Sequence, residues 1–534
     1  MSGIETILGF LLAALVITLF AKRSDQPYPI ALVVGGLLLS RVEGFGHVEL
    51  EPEVVFFLLL PPILMEAAFF TSWRDFMRWR RAILLLAFGL VTATSLVVAL
   101  LCYWFLPGMP FAAGLALGAI VSPPDAAAAT SITRGLKLPR RVVQILEGES
   151  LVNDASALTL YRLAVAAVVT GKLDGLGALA SLPWVAVGGS VIGLALAWCY
   201  VKIYRWFRDP EVEILSSFLL SYAAYFLAEQ VHASGVMAVV AAGLWLGWHS
   251  PEIFTAASRI RSFAVWKMAI FLINVVIFFL IGLQLPRVLA GLEGYPASEL
   301  ASWCVILILG VILVRIAWVF VGAYLPRWLS AKIRASEPEP EPRSVMVVAW
   351  TGLRGVVSLA AALALPLETS SGLPFPYRNF ILFASFAIIL GTLVLQGLSL
   401  RPLISWMRLP EDRSSEAEVL EAQIQVAERA MERLGQMEAE GHCTGSIFQR
   451  VKGYYEDRLT DLKERLEQET GEEHVALPGQ FRSLDEQKIW WEMARVERET
   501  LIQMRRQHRI GDETLHEIER DIDLLESRIT PQSA

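Results

Sequence analysis

Seven consecutive residues, Gly148-Glu149-Ser150-Leu151-Val152-Asn153-Asp154, place two carboxylates, an amide and a hydroxyl inside an otherwise apolar stretch of chain. On a helix, Ser150 and Asp154 are four apart and share one face, while Glu149 and Asn153 share the adjoining one. A second group, Ser122-Pro123-Pro124-Asp125, combines a hydroxyl and a carboxylate with two prolines that break the helix and free backbone carbonyls. A third acid, Glu66, follows Leu60-Pro61-Pro62. Together these are oxygen donors, suited to a hard monovalent cation or a proton and unsuited to a thiolate-preferring metal. One enclosed carboxylate, Asp154, can hold either a proton or a cation, and each excludes the other. That is the elementary chemistry of an exchange.

The elements that must position these groups are membrane helices. Of 534 residues, 55% are hydrophobic and 19% charged, which excludes a disordered or fibrous chain and argues against an ordinary soluble enzyme. Apolar runs near the length that crosses a bilayer recur at about 4–21, 28–42, 53–71, 82–106, 111–132, 142–169, 182–204, 212–229, 234–249, 264–285, 300–324, 344–366 and 379–400. The first run lacks a basic leader and is followed by Lys22 and Arg23, so it reads as a retained span rather than a signal peptide. Loops after odd-numbered runs are rich in arginine and lysine, for example Arg74, Arg78, Arg80 and Arg81, whereas loops after even-numbered runs carry only Arg41, Lys172, Arg287 and Arg378. The bias predicts an inner-membrane, multi-pass protein with its N-terminus outside and its C-terminus cytoplasmic.

Residues 411 to 534 differ in kind: 29 acidic against 17 basic residues give −12, leaving +5 for residues 1 to 410. Amphipathic patterning predicts four helices there, at about 416–437, 448–466, 486–504 and 513–529, with a break at 471–480. The predicted organisation is a membrane domain, residues 1–405, and a helical cytoplasmic domain, residues 411–534, that either supports dimerisation or has a regulatory role. Trp490 and Trp491 read as core residues of that small domain. Nothing supports nucleic-acid binding or a cofactor, and the cysteines Cys102, Cys199, Cys304 and Cys443 have no metal-ligand spacing.

The twelfth run contains Gly352-Leu353-Arg354-Gly355, a second place where a membrane helix can unwind. It lies an odd number of runs from Ser122-Pro123-Pro124-Asp125, so the two breaks traverse the membrane in opposite directions, the layout of an inverted repeat with two discontinuous helices. Among the other intramembrane charges, Glu147 and Arg162 read as structural pairing residues, and Arg315 as a snorkelling or pairing cation toward one end of its span. A structural Asp-Asn pair at a helix interface is the alternative to an ion site at Asn153 and Asp154.

These motifs in this order resemble the monovalent cation/proton antiporter-1 family, which includes bacterial sodium/proton antiporters and animal sodium/proton exchangers. The resemblance spans about residues 5–405 and rests on Leu60-Pro61-Pro62-Ile63-Leu64-Met65-Glu66, on the two breaks, on residues 148–154, and on Val356-Val357-Ser358-Leu359. It implies an all-α fold of about thirteen transmembrane helices with two crossed broken ones, a homodimer, and exchange of Na+, or K+ or Li+, for H+. With Asn153 beside Asp154 it implies electroneutral exchange. By the resemblance Asp154 carries the cation or proton, Ser150 and Glu66 are ligands, Asn153 steadies the site, Asp125 compensates helix ends, and Glu149 pairs with Arg354. Pro124-Asp125-Ala126 stands where the family often has Thr-Asp-Pro, so Ser122 or a freed carbonyl is expected to replace the missing hydroxyl. A cation channel and a membrane receptor are the alternatives from other classes. A channel would need a continuous pore and commonly repeated rings of charge, and a receptor would leave the intramembrane carboxylates unexplained.

Overall fold

The computed structural model describes residues 3–24, 28–41, 54–125, 128–129, 132, 138–171, 184–204, 209–290, 292, 296–337, 339–409, 413–443, 445–468 and 483–529. Within them the chain is helical, with two isolated bridges and no strand. The helices are α1 (Gly3–Arg23), α2 (Tyr28–Leu39), α3 (Leu60–Phe70), α4 (Trp73–Phe105, π-helical at Leu85–Leu90), α5 (Phe111–Val121), α6 (Arg140–Thr170), α7 (Trp184–Tyr204), α8 (Pro210–Gln230), α9 (Gly235–Ile253) and α10 (Ala256–Ala290). There follow α11 (Ala297–Leu329), α12 (Ala331–Ser336), α13 (Pro342–Trp350), α14 (Val356–Leu363) and α15 (Arg378–Met407), then α16 (Arg413–Ala439), α17 (Gly445–Gln468), α18 (Leu484–Arg506) and α19 (Asp512–Ile529). Each predicted apolar run contains at least one helix, the latter part of the run at 111–132 lying largely outside the described residues, and among the described residues 7 helices are long and apolar enough to cross a membrane outright.

Local chemistry sets the ends. Asp209 accepts from the amides of Glu211 and Val212, with Pro210 at the first helical position of α8, and Ser234 accepts from Met237 to open α9. α6 closes at Gly171, whose φ of 68° is the left-handed cap glycine favours. α5 stops at Val121 because Pro123 and Pro124 cannot supply the next helical amides.

Two bundles form. In one, α2 packs along α10, and α9 packs on α3, α7 and α8; in the other, α5 packs on α4, α6, α14 and α15, and α11 on α4 and α13. Burial between membrane helices depends on close backbone approach: a Cβ on Gly118 of α5 would lie 2.5 Å from the backbone of Ser95 in α4.

The four tail helices match the four predicted ones and enclose their own core, which includes Val426, Leu434, Tyr455, Trp490 and Ile518. Trp490 stacks beside Tyr455 there, but Trp491 is exposed with Arg495 over its ring, so the expectation that both tryptophans are core residues holds only for the first. The predicted break at residues 471 to 480 lies outside the described residues.

The α18–α19 hairpin sits against both bundles. Arg74 Nη1 donates to the Ile510 carbonyl (2.6 Å), Ser72 Oγ to Asp512 (2.8 Å), and Arg140 pairs with Glu513 (3.1 Å) at the ends of α4 and α6. On the other bundle, Arg259 Nε of α10 donates to Asp523 (2.8 Å), Arg505 to the Trp248 carbonyl (2.9 Å), and Arg506 to Glu252 (2.6 Å). Basic residues thus come from both sides: Arg74, Arg140 and Arg259 from the membrane helices, Arg505 and Arg506 from the tail.

Candidate cation and proton site

The two predicted breaks meet. After α5, residues 122–125 leave the helix, and between α13 and α14, where the Thr351 amide makes the last helical hydrogen bond to Val347, residues 352–355 do the same. Pro124 and Arg354 form an antiparallel bridge, and the Asp125 amide donates to the Leu353 carbonyl at 2.7 Å. Gly355 is packed so closely on Asp125 that an added Cβ would overlap its side chain and something in the crossing would have to shift.

The crossing leaves two helix ends to satisfy. Arg354 Nε donates to the Val121 carbonyl at 3.0 Å and Nη1 to the Gly352 carbonyl, placing a cation at the C-terminal end of the half-helix α5. Asp125 Oδ1 accepts from the Ala128 amide at 3.3 Å, an anion where the chain resumes. The compensation expected of Asp125 is therefore shared between Asp125 and Arg354.

α6 runs past this crossing. Asn153 is fully buried and donates from Nδ2 to the Pro124 carbonyl at 3.2 Å, while its enclosed Oδ1 has no hydrogen-bond partner among the described residues. Asp154 is buried at its side and within electrostatic reach of Asp125. Ser150 lies one turn earlier on the same face. Ser122 is buried and gives its proton to the Ala119 carbonyl (3.0 Å), leaving its oxygen lone pairs free to accept. Glu66 is half-buried on α3, which packs on α6, but among the described residues no hydrogen bond or ion pair joins it to this group.

One expectation is overturned. Glu149 does not pair with Arg354; its two oxygens accept from Arg315 Nη1 and Nη2 at 2.6 and 2.9 Å, and Arg315 Nη2 also reaches the Val348 carbonyl at 3.1 Å. All three side chains, Glu149, Arg315 and Arg354, are fully buried. The predicted run ended at residue 324, which put Arg315 near one end, whereas α11 continues to Leu329 and puts it near the middle. A mid-helix arginine is the signal that would have identified it. Arg162 pairs with Glu229 (2.9 Å) as expected, while Glu147 has no ion-pair partner among the described residues.

Residues 10–406 match the family profile described as "Sodium/hydrogen exchanger, transmembrane". The chain belongs to that family. As a sodium/hydrogen exchanger it is a membrane transporter of the cation/proton antiport class. The exchanger is 32% identical to a protein of Mycobacterium tuberculosis named as the uncharacterised Na(+)/H(+) exchanger Rv2287, over 99% of this chain and 96% of the relative. It is 32% identical to the "Sodium, potassium, lithium and rubidium/H(+) antiporter" of Bacillus pumilus, over 76% of this chain and 61% of that one. Its fold is similar to that of the sodium proton antiporter MjNhaP1 from Methanocaldococcus jannaschii, with a TM-score of 0.58 at 20% identity, covering 76% of this chain and 99% of that one.

Proposed function

We propose that this exchanger carries one monovalent cation against one proton, alternately, on Asp154. The observation that supports the reading best is the position of Asp154: a buried carboxylate beside Asn153, which is tied to the freed Pro124 carbonyl at the crossing. Ser150, Ser122 and Glu66 supply further oxygens toward the cation, and freed carbonyls substitute for the absent threonine hydroxyl. With Asn153 neutral, one carboxylate exchanges one positive charge for another, so the cycle is electroneutral. Glu149, Arg315 and Arg354 cancel or cap charges structurally and take no part in ion exchange.

Alternating access follows from motion of the bundle holding the crossing against the bundle of α2, α3 and α7–α10, in the manner of inverted-repeat transporters. The chain works as a homodimer in the cell membrane, with its N-terminus outside and its tail cytoplasmic. The tail biases one conformation by its unequal hold on the two states. Na+ is the first expectation for the cation; the printed name of the Bacillus relative favours testing K+, Li+ and Rb+ beside it.

Purified protein in liposomes tests the reading. An imposed Na+ gradient is expected to drive proton movement without net current in wild type and not in Asp154→Asn, which keeps shape but removes the shared group. Normal coupled exchange by a well-inserted Asp154→Asn would overturn the mechanism, and uncoupled conductance in wild type would indicate a channel.

A further inference from the structure

A cleft away from the crossing, open at its mouth, lies between the ends of α4, α6, α11 and α13. Three arginines line it, Arg81, Arg141 and Arg327, against one acid, Glu337. Glu337 Oε2 accepts from both Arg81 Nη2 (2.6 Å) and Arg327 Nη2 (2.8 Å) and so is already shared. Among the described residues, buried Arg81 Nε and Nη1 and Arg327 Nε have no hydrogen-bond partner, while Arg327 Nη1 donates to the Ala323 carbonyl. Arg141 has no carboxylate partner among the described residues and lies over the Trp79 ring at 4.3 Å. The exposed Glu339 acts on Arg327 electrostatically but does not line the cleft. Enclosed donors without acceptors are costly, and guanidinium forks are matched to phosphate oxygens. The remaining walls are apolar, from Leu85, Leu86, Val319, Val345 and Val348, and at Gly322 a Cβ would meet open space.

We infer that this cleft binds a phosphate-bearing anion, with the three arginines on the phosphate and the apolar walls along a hydrocarbon chain. The two kinds of surface together match an anionic phospholipid, whose headgroup reaches basic pockets between membrane helices on the cytoplasmic side. A soluble phosphate would use the arginines and leave the apolar walls without a role.

The test is thermal melting of the purified full-length protein in neutral detergent, with added phosphatidylglycerol, phosphatidylcholine or inorganic phosphate. Phosphatidylglycerol is expected to raise the melting temperature by about 2–4 °C, as preferential binding to the folded state does, and phosphatidylcholine to leave it unchanged. A rise with inorganic phosphate of equal size would keep the anion site and assign it to a soluble ligand. Arg141→Gln removes the uncommitted cation and Gly322→Leu fills the apolar wall without touching any charge. Both are expected to abolish most of the shift. Equal shifts with both lipids, or a full shift retained in Gly322→Leu, would overturn the inference. Gly322→Leu decides the matter even if Arg141→Gln fails to fold.

Discussion

Both carboxylate oxygens of Glu149 are held by the guanidinium of Arg315, one helix reaching another across the interior of the bundle that carries the crossing. Both groups are fully buried, so removing one leaves the other charged and uncompensated, at a cost of about 3–5 kcal/mol. Arg315→Gln is expected to lower the melting temperature sharply, and the double change Glu149→Gln with Arg315→Gln to recover part of the loss. A double-mutant cycle by thermal melting should give stronger coupling for Glu149 with Arg315 than for Glu149 with Arg354. The reverse order would reassign the pair.

Asn153 anchors α6 to the first break through one hydrogen bond to the Pro124 carbonyl. Asn153→Asp replaces the donor by an anion facing that carbonyl, and Asn153→Ala leaves the carbonyl without this donor. Losses of about 1–3 kcal/mol are expected for the alanine variant and more for the aspartate. Melting of the two variants against wild type checks the order.

Two glycines should respond oppositely to the same added methyl. Gly355→Ala drives a Cβ into Asp125 and is expected to cost about 1–3 kcal/mol and to impair exchange, because the crossing must spread. Gly322→Ala meets open space within α11 and is expected to be neutral or to stabilise by up to about 1 kcal/mol. Paired melting and liposome exchange assays distinguish them.

Glu519 gives the tail a pH dependence of definite sign. Burial pushes its carboxyl up from 4.5 to about 7, against the pull of Arg259, Arg498 and Arg505 and with the push of Asp523. The folded state therefore keeps a proton that an unfolded tail releases, so this contribution is full below about pH 4.5 and is lost as pH rises through about 7. Its size is on the order of 3 kcal/mol. His516 acts in the opposite sense: burial, helped by Arg505 and Arg259 and opposed by Asp512 and Asp523, holds its imidazole below the usual histidine range, so its contribution is lost as pH falls. Glu519→Gln removes only the first effect. Protection of the amides of residues 512–529, corrected for the intrinsic rise of exchange with pH, is expected to fall between pH 5 and 8 in wild type, and by less in that variant.

Truncation after Leu409 is expected to leave a chain that still exchanges ions with an altered pH profile, since every residue of the crossing precedes the cut. The charged contacts of Arg74, Arg140 and Arg259 with the tail are lost by the cut, and raised salt should weaken the same contacts in the intact protein. A folded truncation that is inactive at every pH would make the tail part of the transport machinery.

The helices were legible in the sequence because lipid imposes a simple rule: long apolar runs must satisfy their backbone internally, and prolines and glycines within them mark where they cannot. By that rule Pro123, Pro124, Gly352 and Gly355 located both breaks, and the spacing of Ser150, Asn153 and Asp154 assigned them to neighbouring positions on one helix. The tail helices were legible for the parallel reason that water exposes one face and buries the other. Which cation answers Glu149 was not legible. Arg315 and Arg354 are both single arginines in apolar surroundings, and sequence spacing carries no information about which helix faces α6. Only the packing of α11 against α4 and α13 brings Arg315 to Glu149, while the bridge between residues 124 and 354 commits Arg354 to the end of α5. The arginine cleft is of the same kind: its residues come from separate helices far apart in sequence, and charge converges there because four helix ends do.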